Sequence, residues 1–224
     1  PMPLQMKGMP HGQDWPDNAE RYGAFCLAVT ALALGQAGLD WQPEVVHGHD
    51  WQTGLVPALL AQKTRRPATV FTIHNLSYQG LFPAASFKGL GLPSQLWSPT
   101  GLEFYQQLSF IKGGLAFADR LTTVSPTYAH EITTPEFGCG LDGLLRHRAS
   151  ALSGILNGVD YQVWDPKHDP YLIEHYDTTR LVAGKKANKL ALQEQLGLPV
   201  DAATPVLALI SRLVEQKGID LLIN

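Results

Sequence analysis

Short apolar runs and helical stretches alternate along the first half of the chain. The runs PEVVHGH at residues 43–49 and PATVFTIH at 67–74 begin with proline and contain β-branched residues, which predicts two buried strands. Between them, WQTGLVPALLAQ at residues 51–62 has the apolar spacing of a helix. Strand, helix and strand within residues 43–74 is the order of a βαβ unit, so we predict a parallel sheet.

A second apolar pattern predicts one long helix over residues 102–118. In LEFYQQLSFIKGGLAFA, four apolar residues recur at intervals of four, three and four positions, which places them on one helix face. We expect that face to lie in the core. The four residues are Phe104, Leu108, Ile111 and Leu115.

Helix signals and apolar runs predict the remaining elements. Residues 18–38 are rich in Ala and Leu and end in glycine, which predicts a helix. Ser125 and Pro126 have the chemistry of a helix N-cap and first helical position. Residues 75–101 are rich in Gly, Pro and Ser and too long for a simple connection, which makes them a candidate functional loop. The other predicted elements are strands at 120–124, 151–158 and 205–211, and helices at 140–148, 178–198 and from 219 onwards.

The pattern divides the chain into three parts. Residues 1–160 contain the alternating elements of a first α/β domain, whereas residues 161–204 combine an aromatic, Pro-containing stretch with an exposed basic helix and predict a crossover. The strand at 205–211 then begins a second α/β domain over residues 205–224. Because the chain opens in a Pro-rich segment and stops within an apolar stretch, we expect it to be part of a longer protein.

Composition narrows the class of protein. The 224 residues are 45% hydrophobic and 17% charged, which is typical of a globular chain. A net charge of -3 provides no basic field for a polyanion, so we expect no nucleic-acid partner. No run approaches the roughly 18 apolar residues of a membrane span. Two cysteines without a CxxC spacing cannot form a disulfide framework. We therefore expect a cytoplasmic protein without a membrane partner.

The stretch HGHDWQTG is the first candidate site. His47 and His49 lie two residues apart in a strand, so both rings share one face, as in some metal-dependent hydrolases. Alternatively, Asp50 is the N-cap of the following helix and the histidines pack. A third interpretation is a ligand site, because Asp50 and the pair His74 and Asn75 follow successive strands, whose carboxyl ends meet at one crevice.

Arg212 and Lys217, in the stretch SRLVEQKG, are the second candidate site. Two cations beside the start of a following helix would neutralise a diphosphate, with the helix amides assisting. An ordinary solvated loop is the commoner role of such residues. The spacing alone leaves both interpretations open.

Aromatic residues surround the predicted long loop. Trp51, Tyr78 and Phe82 lie near the polar strand ends, with Trp97 and Tyr105 further along the chain. Core packing is the first expectation for each ring, and stacking on sugar rings is the alternative.

Several stretches together resemble bacterial glycogen synthases and plant starch synthases. They are DWPDNAERY, VVHGHDWQTGLVPALL, TVFTIHNLSYQGLF, GLEFYQQLSFIKGGLAFADRLTTVSPTYAHEI, ILNGVD and SRLVEQKGIDLL, in this order over nearly all 224 residues. The resemblance implies a GT-B fold, in which two Rossmann-like α/β domains face a cleft. Residues 1–160 would be most of the catalytic first domain, and residues 205–224 would begin the domain that binds the nucleotide sugar.

The resemblance also implies an activity, the retaining transfer of glucose from ADP-glucose to the non-reducing end of an α-1,4-glucan such as glycogen, starch or a malto-oligosaccharide. It implies no metal and no cofactor, and a plastid stroma in place of the cytoplasm for a plant source. Asp50 and His74 would line the reaction centre. Arg212 and Lys217 would act in catalysis by binding the donor diphosphate. The residues implied to bind sugar or glucan are Trp51, Asn75, Tyr78 and Asn157.

Two further motifs of the family, a glycine-rich lysine motif and a glutamate-containing motif, do not occur in these residues. We therefore expect the chain of this extent to lack turnover on its own. Two alternatives stay open, a metal-dependent hydrolase that uses His47 and His49, and a glucan-binding fragment without catalytic activity.

Overall fold

The structure, a computed structural model, consists of two compact units. It describes residues 14–213 and 217–223. Contacts within the chain separate residues 1–157 from residues 158–224. The predicted crossover and the predicted start of a second domain both fall in the second unit, and their assignment stays a prediction.

Seven strands in the described part of the chain form two sheets. They are β1 (Val45–His49), β2 (Ala68–Ile73), β3 (Leu81–Pro83), β4 (Glu103–Phe104), β5 (Gln107–Ser109), β6 (Arg120–Thr123) and β7 (Leu152–Gly154). The larger sheet has the order β1-β2-β6-β7 with every pair parallel, and the smaller has the order β3-β5-β4 with antiparallel pairs. The predicted parallel sheet is therefore confirmed.

Eight α-helices occur in the same described ranges. They are α1 (Asn18–Ala33), α2 (Leu55–Leu60), α3 (Ala84–Gly89), α4 (Phe110–Phe117), α5 (Pro126–Glu131), α6 (Asp142–His147), α7 (Leu181–Gln195) and α8 (Asp220–Ile223). The cap predicted at Ser125 is confirmed, because its side chain accepts the backbone N–H of Tyr128 at 2.9 Å. None of these helices is long and apolar enough to cross a membrane.

Helix α4 packs against one face of the larger sheet. Phe71, Ile73 and Leu121 on that face are fully buried, as are Ile111 and Leu115 of α4. Complete burial of a large apolar side chain stabilises a fold by about 1.5–3 kcal/mol. This contact is one of two hydrophobic clusters in the first unit, and the other lies around α2.

Residues 102–118 are not the single helix that the apolar spacing predicts. Their first part is the β4–β5 hairpin, and α4 begins only after it. Leu108 is buried as expected, but it lies on a strand. The two turn residues, Tyr105 and Gln106, have φ of 48° and 65°, which a right-handed helix excludes. The predicted loop at 75–101 is also partly regular, since it contains β3 and α3.

The strand predicted at 43–49 is confirmed except for its burial, whereas the strand predicted at 205–211 is wrong. β1 is formed, but only Gly48 in it is buried, and among the strands of the described residues β1 lies at the edge of its sheet with β2 as its partner. Residues 205–211 are irregular. No strand lies in the described residues of the second unit to pair with them, and an isolated strand leaves its backbone groups unpaired.

Glycine brings α2 and α4 into backbone contact. A Cβ atom on Gly54 would lie 1.9 Å from the backbone oxygen of Phe110, and one on Gly113 would lie 2.6 Å from the backbone oxygen of Gly54. These distances leave no room for a side chain in a close-packed interior. Since Gly54 follows the 3-10 turn Trp51–Thr53, the contact fixes the chain just after β1 against α4.

We predict that Gly54→Ala lowers the free energy of unfolding by about 1–3 kcal/mol, because the added methyl group meets backbone atoms. Gly89→Ala is the matched control. A Cβ on Gly89, the last residue of α3, meets nothing within 4 Å, so this change should stabilise by about 0.4–1 kcal/mol. Urea denaturation of the intact protein measures both. Similar effects of the two substitutions would contradict the close approach.

Candidate functional site

Asp50, the residue after β1, has a backbone conformation that is normally restricted to glycine. Its φ is 57° and its ψ is -177°, a region that costs a residue with a side chain about 1–3 kcal/mol. The backbone N–H of Asp50 donates to the backbone oxygen of Thr72 at 2.9 Å, which continues the pairing of β1 with β2 beyond the strand. Sheet pairing therefore holds Asp50 in a strained conformation.

The Asp50 side chain binds His74. Oδ1 accepts the backbone N–H of His74 at 2.8 Å, and Oδ2 lies 3.0 Å from Nδ1 of the ring. No hydrogen bond joins the carboxylate to the turn that follows, so the predicted N-cap is wrong. The backbone conformation turns the carboxylate toward the neighbouring strand instead. Because an ionised carboxylate only accepts, Nδ1 of a neutral His74 carries the proton and Nε2 is an acceptor.

His47, His49 and His74 form a stack of imidazole rings beside Asp50. Ring centroids are 4.2 Å apart for His47 and His49 and 5.4 Å apart for His49 and His74. His47 and His49 share one face of β1, as predicted. Burial lowers the pKa of His49, and the neighbouring rings lower it further, whereas the Asp50 carboxylate opposes the shift.

The histidine stack lacks the arrangement of a metal site. Within residues 14–213 and 217–223, no group of three or more His, Cys, Asp and Glu side chains is placed to hold a metal ion. The rings of His47 and His49 lie face to face, with 27° between their planes. The metal-dependent hydrolase interpretation gains no support from this geometry.

The loop after β2 is held on two further sides. The backbone N–H of Leu76 donates to the hydroxyl oxygen of Tyr128 at 3.0 Å, and Nε2 of Gln79 donates to the backbone oxygen of Cys139 at 2.8 Å. Burial raises the pKa of Tyr128, so its hydroxyl stays protonated. Sequence reasoning missed both anchors. The position of Tyr128 in the helix after β6, at the same sheet edge, is the signal that would have found it.

Three residues predicted to bind sugar follow Asp50 or His74 closely in the sequence. The structure places their side chains in different environments. The Trp51 ring is half-buried, with its centroid 4.8 Å from that of Tyr22 and 5.7 Å from that of Phe82. Tyr78 is 50% exposed. Oδ1 of Asn75 accepts the backbone N–H two residues further on, at 3.0 Å. Packing accounts for the Trp51 ring, and its role as a glucan contact stays a prediction.

The other predicted site residues are exposed. Asn157 is the last residue of the first unit. Arg212 and Lys217 are exposed in the second unit, where Lys217 precedes the start of α8. Their accessibility suits contact with a ligand, and their roles toward sugar and diphosphate stay predictions.

Comparison with known proteins identifies the family. The sequence profile of the starch synthase catalytic domain matches residues 4–147. The chain belongs to this family. The chain is 62% identical to glycogen synthase 2 of Nitrosococcus oceani over 213 residues. This match covers 95% of this chain and 43% of that protein. It is 57% identical to glycogen synthase 1 of Methylococcus capsulatus over 96% of this chain and 43% of that protein.

A solved structure extends the comparison of this starch synthase family member to three dimensions. The catalytic domain of starch synthase IV from Arabidopsis thaliana, bound to ADP and acarbose, superposes with a TM-score of 0.78 at 36% identity, over 95% of this chain and 45% of that one. The predicted family and the predicted α/β fold of the GT-B type are confirmed. The chain spans less than half the length of the curated relatives and of this structure.

We predict that Asp50→Gly leaves this starch synthase family member more stable than Asp50→Ala, by about 1–3 kcal/mol. Both substitutions remove the carboxylate, but only glycine adopts the backbone conformation without strain. At an ordinary position alanine is the more stable of the two by about 0.4–1 kcal/mol, so the sign of the difference is the test. Urea denaturation of both variants measures it, and a more stable alanine variant would show that the backbone is not strained.

We also predict that stability decreases as the pH falls through 6.5, the ordinary pKa of histidine, and that His49→Gln weakens this dependence. The pKa of His49 is lower in the folded protein than in the unfolded chain. The unfolded state therefore binds more protons below pH 6.5, and acid favours unfolding. Thermal unfolding of the two proteins is measured between about pH 7.5 and pH 5, a range that spans the titration of histidine at about 6.5. Parallel pH curves would contradict the role of His49.

Proposed function

We propose that the intact protein transfers glucose from ADP-glucose to the non-reducing 4-hydroxyl of an α-1,4-glucan, with retention of configuration. The observation that carries the proposal is the Asp50–His74 pair, held by strained backbone at the carboxyl ends of β1 and β2, where α/β sheets bind ligands. The relatives named glycogen synthase support the activity. The related starch synthase structure, bound to ADP and acarbose, supports the donor and the glucan.

The reaction separates charge, and the pair suits one side of that separation. Breaking the bond from glucose C1 to the ADP phosphate develops positive charge on the sugar and negative charge on the diphosphate. The Asp50 carboxylate and the accepting Nε2 of His74 place fixed electron-rich groups toward the sugar. The resemblance to the family implies front-side attack by the acceptor, on the face that the diphosphate leaves, and this route would retain the configuration.

The cations Arg212 and Lys217 would stabilise the leaving diphosphate. Both side chains are exposed, and neither takes part in an ion pair among the described residues. In this proposal the reaction needs no metal and no cofactor, and ADP-glucose is a substrate. The partners are ADP-glucose and glucan without nucleic acid or membrane, in the cytoplasm, or in the plastid stroma of a plant. The remaining sugar or glucan contacts would be Trp51, Asn75, Tyr78 and Asn157.

We predict that Arg212→Ala and Lys217→Ala each lower kcat for ADP release by about 100-fold or more, because each removes a charge that stabilises the leaving group. Lys185→Ala, an exposed cation of α7, is the matched control and should have no effect. The assay follows ADP release from ADP-glucose with a malto-oligosaccharide acceptor, with and without a chelator. Undiminished turnover in either variant would remove its diphosphate role. Loss of turnover in chelator would favour the metal-dependent alternative, and no turnover at all would favour a glucan-binding protein.

A further inference from the structure

A groove of about 590 Å³ lies beside the β4–β5 hairpin, apart from the Asp50–His74 pair. Its volume falls in the range of small-molecule sites. None of its lining residues is among those implied to bind sugar, glucan or diphosphate, although Trp97 is one of the aromatic residues for which sugar stacking was an alternative. They are Ala84, Trp97, Ser98, Pro99, Glu103 and Gln106.

The walls of the groove are fixed by contacts beneath it. The Trp97 ring packs on Phe87 with centroids 4.9 Å apart. The buried ammonium of Lys112 donates to the backbone oxygen of Pro99 at 2.6 Å and also to that of Glu103. Lys112 thereby ties the two sides of the groove together. A groove whose walls are held in place loses little conformational entropy when a ligand binds.

The groove combines an aromatic ring with unused hydrogen-bonding groups. Oε1 of Glu103 accepts the backbone N–H of Gln106 at 2.6 Å, but Oε2 has no hydrogen-bond partner among the described residues. The same holds for the side-chain amide of Gln106 and for the indole N–H of Trp97. Acceptors and donors next to an indole match a ligand that has both hydroxyl groups and an apolar ring face. A sugar has this chemistry.

The hairpin beside the groove is strained. Tyr105 and Gln106 both have positive φ, as in a type I′ turn, where Asn-Gly is the favoured pair. A side chain at each position costs stability, and strain of this kind accumulates at functional sites. Gln106 lines the groove and Tyr105 is 78% exposed, so the strained turn presents side chains that glycine would not supply.

The groove lies at the same edge of the parallel sheet as the Asp50–His74 pair. α4 begins directly after the hairpin and leads to the start of β6, so the hairpin is at the carboxyl edge of the sheet. The first two amides of α4 reach the loop after β2. The backbone N–H of Phe110 donates to Gly80 at 3.0 Å, and that of Ile111 donates to Gln79 at 3.2 Å.

We propose that this groove binds glucosyl units of the α-glucan acceptor at a distance from the reaction centre. The identity of the ligand rests on the proposed function, whereas the groove itself rests on the contacts above. The groove holds glucosyl units of a long acceptor that lie away from the reacting end. It therefore contributes to the binding of glycogen and not to the chemical step.

The test blocks the groove without removing any of its contacts. Ala84 lines the groove, and Ala85 is its neighbour in α3 and does not line it. Both are exposed. We expect Ala84→Trp to weaken retention of the intact protein in glycogen-containing native gels by about tenfold, which is loss of about 1.4 kcal/mol of binding. Ala85→Trp should migrate as the unmodified protein does. Equal retention of the two variants would overturn the proposal.

Gln106→Gly provides a second readout that a structural role would not give. Glycine relieves the positive φ and should raise the unfolding temperature, while loss of the amide should weaken glycogen retention by about 2- to 10-fold, the effect of one hydrogen bond. Higher stability with unchanged retention would contradict the proposal. A lower unfolding temperature for Ala84→Trp than for Ala85→Trp would identify the groove as a packing surface and would also contradict it.

These outcomes are separate from those of the proposed function. Retention is measured without ADP-glucose, so a protein that binds glycogen through the groove but releases no ADP contradicts only the glucosyltransferase activity. A protein that releases ADP normally and is retained equally in all three variants contradicts only the groove.

Discussion

One backbone hydrogen bond determines where the site residues lie. The N–H of Asp50 donates to the backbone oxygen of Thr72 and carries the pairing of β1 and β2 one residue beyond the strand. This pairing imposes the conformation that directs the carboxylate to His74. The ends of two neighbouring strands are thus joined twice, by backbone and by side chain. The histidine stack and the turn that begins at Trp51 take their positions from this junction.

Local patterns were sufficient for the parallel sheet and insufficient where pairing is decided by distant residues. The β-branched runs of β1 and β2 and the Ser-Pro helix start are local signals, and the structure contains each of them. The hairpin at 103–109 was missed because apolar residues four positions apart fit a helix face as well as two short facing strands. The residues at 205–211 have the composition of a strand, but a strand forms only against a partner.

The candidate site also has features that local sequence predicts and features that depend on distant residues. A βαβ unit places the residues after two successive strands side by side, so the meeting of Asp50 with His74 could be predicted from order alone. The anchors of the following loop could not. Tyr128 accepts a backbone N–H of that loop and Cys139 accepts a side-chain N–H of it, and which groups meet depends on the final path of the chain. Likewise, the sequence does not show whether the Asp50 carboxylate caps the following turn or binds His74, because the choice depends on the backbone conformation of Asp50.

The glycine contact between α2 and α4 has a consequence for how the molecule tolerates change. Where helices meet through side chains, alternative rotamers and small substitutions let the spacing drift as sequences diverge. Gly54 and Gly113 meet through backbone atoms, which have no rotamers. The distance between the chain after β1 and the start of α4 is therefore fixed by backbone contact. Residues around the contact can vary in size and polarity while the turn after β1 and the first turn of α4 keep the same separation.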